Sequence, residues 1–355
     1  MKKIAVIPGD GIGIEVIEGA VKILKKSEDI LFGKTMFDFH YFDWGTDYYL
    51  KNNRMMPKNA LDLLSEFDSI LLGAVGHPKV PDHITLNGLL LPIRRRFDQY
   101  VSIRPCYLWE NTESVLKNVS DLDFVIIREN SEGEYANIGG FLHTSNEYDT
   151  SIQTSVFTRM GCMRIIEYAF EHAVKRNNKL KVTSVTKSNA QAYGMVMWDD
   201  CFNTVAKKYP NIKTESLLVD AACMDFIRKP ETFDVVVASN LFGDILTDIG
   251  AIITGSMGLA PSGNIDPSYK YPSMFEPVHG SAPDIVNEGI ANPMAAIFSG
   301  AMMLSHLGEK KLSLIMQKAV EQLISEGNSL TKDLGGTSST SEVGNSVVEY
   351  IKDLY

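Results

Sequence analysis

Cysteine is scarce: Cys106, Cys162, Cys201 and Cys223 are scattered through 355 residues with no C-x-x-C spacing. That argues against a disulfide framework or a zinc site and suits reduced thiols in a cytoplasm. No apolar run approaches the ~20 residues of a membrane span. The start, Met1-Lys-Lys-Ile-Ala-Val-Ile-Pro-Gly9, turns polar before a signal sequence could form. Basic charge is in deficit, and a net charge of −10 argues against nucleic acid or an anionic membrane as partner. Any anionic ligand must therefore meet a local cluster of cations. A complete dinucleotide fingerprint is also missing. Pro8-Gly-Asp-Gly-Ile-Gly13 opens like G-x-G-x-x-G, but its sixth position is Ile14. Internal repeats and low-complexity segments are absent too.

What the chain does contain is alternation. Short apolar runs predict buried strands at 3–7, 37–41, 69–74, 124–127, 181–185, 215–219 and 235–238. Apolar residues at helical spacing predict helices around 16–24, 60–65, 88–97, 158–176, 192–208, 221–228, 293–307 and 311–326. The stretch 42–58 and the Gly- and Pro-rich connections after Pro261 read as irregular, and Arg104-Pro105 as a break. The polar segment 136–157 is too irregular for core and reads as an excursion toward a partner subunit. The alternation favours an α/β fold with mainly parallel strands, and the length favours two domains.

Four constellations could carry chemistry. Asp244 and Asp248 follow the apolar run Val235-Val-Val-Ala238 and the helix-capping pair Ser239-Asn240, and share one helical face. Two carboxylates there repel unless a cation lies between them, and Mg²⁺ or Mn²⁺ prefers oxygen ligands. A solvated acidic face is the competing reading. Asp220, expected to end the 215–219 strand, would add a third carboxylate, with Asp225 as its rival. Arg94 shares a helical face with Leu90 and Leu91, while Arg104 and Arg128 adjoin buried segments where an unpaired guanidinium is costly. The three arginines suit a carboxylate ligand; a structural salt bridge is the alternative for each. Lys187, just past a strand end, could take a proton and Tyr135 could return one, although such residues in loops more often face solvent. Finally, Glu276-Pro-Val-His-Gly-Ser-Ala-Pro-Asp284, with Asn292-Pro293 beyond, could wrap an adenosine moiety or serve only as a rigid connection. Asp284 could accept both ribose hydroxyls and would repel a 2′-phosphate, which favours NAD over NADP.

Taken in order, these motifs resemble the β-decarboxylating dehydrogenases, the family of isocitrate, isopropylmalate and tartrate/D-malate dehydrogenases. The resemblance runs from Ile7-Pro-Gly-Asp-Gly-Ile-Gly13 to Asp333-Leu-Gly-Gly336. Between them stand Arg104-Pro105, Arg128-Glu-Asn-Ser-Glu-Gly-Glu-Tyr135, Ser239-Asn-Leu-Phe-Gly-Asp-Ile-Leu-Thr-Asp248 and the 276–284 motif. The run Val80-Pro-Asp-His-Ile-Thr-Leu-Asn-Gly88 looks most like the tartrate/D-malate branch.

The resemblance implies an isopropylmalate/isocitrate dehydrogenase-like two-domain α/β fold with a mixed central sheet, not a Rossmann fold. Residues 1–100 and 256–355 would form a large cofactor-binding domain. Residues 101–255 would form a second domain, with an arm at about 136–157 that joins a homodimer with shared active sites. The implied reaction is oxidative decarboxylation of a small 2-hydroxy dicarboxylate with NAD and Mg²⁺ or Mn²⁺, with K⁺ as a further candidate ion. D-malate, with tartrate, is the expected substrate, and 3-isopropylmalate is the alternative. By the same resemblance Arg94, Arg104 and Arg128 bind substrate carboxylates, and Tyr135 is the general acid. Lys187 of the neighbouring subunit assists proton transfer. Asp244 and Asp248 hold the metal together with Asp220 from the other chain. His279, Gly280, Ser281, Ala282, Asp284, Asn292, Asp333 and Asn189 line the NAD site, and Asn87, Leu90 and Leu91 select the substrate. Position 87 departs from the family's patterns: it is neither the Glu typical of isopropylmalate enzymes nor the aromatic residue expected in the tartrate/D-malate branch. Two readings from other classes are a metal-dependent phosphohydrolase on Asp244/Asp248 and a catalytically silent regulatory subunit. The latter should have lost part of a residue set that is complete here.

Overall fold

The computed structural model describes residues 1–119, 121–142 and 147–355. The chain forms two compact units. The first is Met1–Gln99, Arg104–Leu122 and Gly250–Tyr355, and the second is Tyr100–Ile103 and Asp123–Ile249.

The chain opens with β1 (Lys2–Gly9), α1 (Gly13–Phe32), β2 (Phe37–Tyr41), α2 (Thr46–Asn52), α3 (Ala60–Leu64) and β3 (Ser69–Ala74). Next come α4 (Asp82–Thr85), a π-helical turn at Leu86–Leu90, α5 (Leu91–Arg96), β4 (Val101–Tyr107), β5 (Asp123–Glu129), β6 (Gly133–Leu142) and β7 (Thr150–Val156). The middle continues through α6 (Arg159–Arg176), β8 (Lys181–Thr186), α7 (Gly194–Ala206), β9 (Lys213–Leu218), α8 (Val219–Arg228), β10 (Val235–Ala238) and α9 (Asn240–Ile253). The last stretch carries β11 (Pro261–Ile265), β12 (Ser273–Pro277), α10 (Met294–His306), α11 (Lys310–Glu326) and α12 (Thr340–Leu354).

In the first unit the strands run in the order β2-β1-β3-β12-β11. Ile4, Ala5, Val6 and Ile7 of β1 are buried on both faces, as expected of a strand with parallel neighbours on each side. The β11–β12 pair is antiparallel, so the sheet is mixed. Helix α10 is buried around most of its circumference, which its nearly unbroken apolar sequence requires. The glycine turn after β1 serves close packing. A Cβ on Gly9 would lie 2.0 Å from the Ala74 carbonyl oxygen, and one on Gly13 would lie 2.4 Å from the Ala74 nitrogen. Ile12 N–H donates to the Ser281 carbonyl at 2.9 Å, which ties this turn to the 281 loop.

Several segments differ from the sequence reading. Helix α2 lies where irregular chain was expected. Its first residue is satisfied from β1's end, since the Asp10 carboxylate accepts Thr46 N–H and Thr46 Oγ–H at 2.7 Å each. Strands β11 and β12 replace expected loops. Pro261, Ser262, Gly263 and Asn264 are turn residues by propensity, but cross-strand pairing and the Asn264 Nδ2 donation to Glu276 Oε1 at 2.8 Å hold them extended. Helix α12, which the sequence reading did not assign, begins with a Ser339/Glu342 capping box. Arg104 and Pro105 sit inside β4, because proline's fixed φ suits an extended chain and costs only one donor. The segment 104–122 packs with the first unit, where Trp109 stacks on Phe298 at 5.0 Å and Ser114 Oγ donates to the Ile253 carbonyl at 2.6 Å.

The second unit has strand order β5-β10-β8-β9, all parallel. The segment 136–157, expected to be irregular, is largely the antiparallel ribbon β6–β7, with Ile138, Phe141 and Ile152 exposed. Residues 143–146 of that expectation lie outside the described residues. Asp220 does not end a strand. The chain turns at Leu218 directly into α8, which places Asp220 in the first helical turn, where the helix dipole favours a carboxylate. No helix among the described residues is long and apolar enough to cross a membrane.

Two half-buried histidines give a pH prediction. Burial pulls His172 and His306 down to about 4 from 6.5. The unfolded chain therefore binds protons more readily at both, so the stabilisation is complete above pH ~6.5 and is lost as pH falls toward 4. We expect the melting temperature to drop through that window, and His306→Gln to flatten part of the drop.

Candidate active site

In the first unit, Arg94 of α5 is buried and its Nη2 donates to Glu276 Oε1 on β12 at 2.7 Å. Asn264 donates to the same oxygen, and the Glu276 carboxylate offsets the buried positive charge of Arg94. Arg94 Nε is buried with no hydrogen-bond partner among the described residues. Arg94, Arg104 and Glu276 line a cavity of 280 Å³, together with His279, Gly280, Leu90, Leu86, Thr85, Asp82 and His83.

Of the three residues expected to select substrate, only Leu90 lines this cavity. Asn87 donates its amide to the His83 carbonyl at 2.7 Å, and Leu91 is packed in the interior. The π turn explains the change. Leu91 N–H bonds back to Leu86 O, five residues earlier, so the helical face advances by about one residue and Leu86 joins the lining. The sequence signal was Pro92, which cannot make the next backbone bond. Asp82, His83 and Thr85 of α4, which the sequence reading did not single out, also line the cavity.

A second cavity, of 780 Å³, is lined by residues 75–82 and 280–283 and takes in Gly280, Ser281 and Ala282. Ala282 adopts φ +40, a left-handed conformation that a non-glycine residue holds only where its surroundings dictate it. His279 sets Nδ1 3.0 Å from the Gly280 carbonyl, which favours Nδ1–H as donor and leaves Nε2 as a buried acceptor with no partner among the described residues. Burial pushes its pKa below the usual value. Asp284 is exposed. Asn292 and Asp333 are brought together: Asn292 Nδ2 donates to Asp333 Oδ2 at 3.0 Å, and Ser256 Oγ donates to the same oxygen at 2.6 Å.

In the second unit, Arg128 ends β5 and is buried. Its Nε and Nη2 donate to Asn240 Oδ1 at 3.1 and 2.6 Å, and its Nη1 donates to Asp244 Oδ1. Tyr135 donates its hydroxyl to the other Asp244 oxygen at 2.9 Å. Gly243 makes room for this arrangement, since a Cβ there would lie 2.7 Å from Arg128 Cβ and Cγ. Asp248 stands one turn further along α9 and is exposed. Elsewhere in the unit, Lys187 Nζ meets Asp220 Oδ1 at 2.5 Å, and that hydrogen bond holds the Asp220 carboxyl below the usual range. Asn189 is exposed in the turn after β8. Among the described residues no three His, Cys, Asp or Glu side chains gather to hold a metal. Asp244 and Asp248 nevertheless present the oxygen donors, one helical turn apart, that a hard divalent cation takes.

The fold and these residues define a class, an α/β decarboxylating dehydrogenase of hydroxy acids, and comparison with known proteins supports it. A family model described as isocitrate/isopropylmalate dehydrogenase matches residues 3–347. A probable tartrate dehydrogenase/decarboxylase of Bacillus subtilis is 47% identical over 99% of this chain and 98% of that protein. The decarboxylating D-malate dehydrogenase of Escherichia coli is 45% identical over 98% of each. The crystal structure of isocitrate dehydrogenase from Methylococcus capsulatus superposes with a TM-score of 0.90 at 34% identity, covering 99% of this chain and 100% of that one. The chain belongs to the isocitrate/isopropylmalate dehydrogenase family.

Proposed function

We propose that the protein oxidises and decarboxylates D-malate, and acts on tartrate, with NAD and Mg²⁺ or Mn²⁺. The observation that carries this reading is the first-unit cavity. Its 280 Å³ and its two arginines, one already paired with Glu276, suit a small dicarboxylate. Leu86 and Leu90 make part of the wall apolar, and on that account 3-isopropylmalate is the second reading.

Asp244 and Asp248 would hold the cation, which when bound would supply stabilisation of negative charge on the C2 oxygen, and a bound nicotinamide would supply the acceptor for the C2 hydride. Arg94, Arg104 and Arg128 hold the carboxylates. Lys187 assists removal of the C2 hydroxyl proton. The bond from C3 to the departing carboxylate then breaks, CO₂ leaves with its electron pair remaining on carbon, and Tyr135 delivers its hydroxyl proton to C3. Malate and NAD⁺ thus give pyruvate, CO₂ and NADH. For the cofactor, the 780 Å³ cavity, the open acceptor on His279 and the carboxylate of Asp284 favour NAD over a 2′-phosphorylated dinucleotide.

A homodimer with shared sites is part of the proposal. Asp220 and Lys187 would serve the partner's metal and substrate, in keeping with their pairing to each other rather than to Asp244. Exposed Met224 and Ile227 on α8 and Ile245 and Ile252 on α9 offer apolar surface for a second copy. A cytoplasmic location is also part of the proposal, supported by four cysteines that form no disulfide.

The test is a rate comparison of D-malate, the tartrate isomers, 3-isopropylmalate and isocitrate with NAD and Mn²⁺. We expect D-malate to have the highest kcat/KM; preference for 3-isopropylmalate would establish the second reading. Asp284→Ala should raise KM for NAD and narrow the NAD/NADP preference. Unchanged cofactor kinetics would refute that role.

A further inference from the structure

Three acidic side chains, Glu129, Glu132 and Glu134, stand between Arg128 and Tyr135, and the proposed reaction gives none of them a task. Two hold the segment locally. The buried Glu129 carboxylate accepts Ser131 N–H at 3.0 Å, Ser131 Oγ–H at 2.5 Å and Glu132 N–H at 2.9 Å, folding the loop on itself. Glu132 accepts Thr158 N–H and Oγ–H at 2.8 Å each, at the entry to α6.

Glu134 reaches elsewhere. Its Oε1 accepts the Ser239 hydroxyl at 2.8 Å and its Oε2 accepts Leu241 N–H at 3.1 Å, both at the start of α9. Between these two residues, Asn240 accepts from Arg128 and donates to the Glu132 carbonyl at 3.1 Å. Three consecutive residues opening α9 are therefore each tied to the 128–135 segment. A carboxylate suits that place, because first-turn N–H groups lack helical partners and the helix dipole favours negative charge there. One turn further along the same helix, Asp244 receives the Tyr135 hydroxyl at 2.9 Å.

We propose that Glu134 is a positioning residue for Tyr135. By bracing the first turn of α9 against β6, it fixes the register at which the Tyr135 hydroxyl meets Asp244. The proposal rests on the reading of Tyr135 as proton donor. A helix rises 1.5 Å per residue, so a slip of even one residue would break a 2.9 Å hydrogen bond. A misplacement of ~1 Å at a reacting group can cost 10²-fold in rate. Glu134 touches neither substrate nor reacting atoms in this role; it acts through α9.

The experiment is a double-mutant cycle on Glu134→Ala and Tyr135→Phe, with D-malate turnover, the solvent deuterium isotope effect and the KM for NAD as readouts. Glu134→Ala should lower kcat by about 10²-fold, leave KM for NAD unchanged and raise the isotope effect as proton transfer becomes limiting. The double variant should be no slower than Tyr135→Phe alone. Glu134→Gln, which keeps an acceptor for Leu241 N–H and can donate to Ser239 Oγ, should recover at least ~10-fold of the loss. Ser239→Ala removes one anchor with little risk to folding and should give a smaller loss of the same kind. Tyr135→Phe slow with Glu134→Ala and Ser239→Ala at the wild-type rate would overturn the positioning role, as would additive losses in the double variant. Tyr135→Phe at the wild-type rate would remove the underlying reading of Tyr135 instead.

Discussion

Asp248→Asn should lower turnover by about 10³-fold or more while leaving the protein folded. The magnitude follows from the task proposed for the cation. There it would stabilise negative charge on the substrate oxygen during both oxidation and decarboxylation, and removing such stabilisation raises a barrier by several kcal/mol. The structural cost is small because Asp248 is exposed on α9 and the amide has nearly the same shape, so stability should change by no more than ~0.5 kcal/mol. Calorimetric titration with Mn²⁺ should show weakened binding, and the melting temperature without metal should match that of the wild type. Wild-type activity persisting in excess chelator would contradict the metal assignment at once.

The second large effect is at Arg94. Arg94→Met removes the partner of Glu276, whose side chain is only 8% exposed, and leaves that carboxylate with the Asn264 amide in place of a charged donor. Breaking a buried ion pair from one side costs about 3–5 kcal/mol, because the remaining charge stays desolvated. The double variant Arg94→Met/Glu276→Leu replaces both charges with apolar volume and should recover most of that loss. Activity should behave differently: both variants should lose substrate binding, seen as a large rise in KM for the dicarboxylate. Urea unfolding and steady-state kinetics separate the two roles. A single variant as stable as the wild type would contradict the ion-pair account, and a stable, fully active double variant would contradict the substrate role.

How legible all this was in the sequence differs by element. The β1 and β10 strands were plain, because four consecutive buried apolar residues leave few alternatives. The placement of Asp244 and Asp248 on one helix was equally plain, since Ser239 and Asn240 announce the helix start. Helix α2 was hidden because its first turn is satisfied by Asp10, far back in the chain. Strand β11 was hidden because its residues favour turns and only the partner strand holds them extended. The lining of the 280 Å³ cavity departs by about one residue from regular helical periodicity through 85–94, which ignores the π turn ahead of Pro92. Glu134 stood within the 128–135 motif, but nothing in the sequence pointed to its partners. Its work depends on two residues more than a hundred positions away that the fold brings to it.

The most direct measurement of the central claim is product stoichiometry with D-malate, NAD and Mn²⁺, following NADH by absorbance and CO₂ from substrate labelled in the carboxylate that leaves. One CO₂ should appear for each NADH, with pyruvate as the organic product and neither formed in excess chelator. NADH without CO₂, or no NADH with any 2-hydroxy dicarboxylate, would contradict the account.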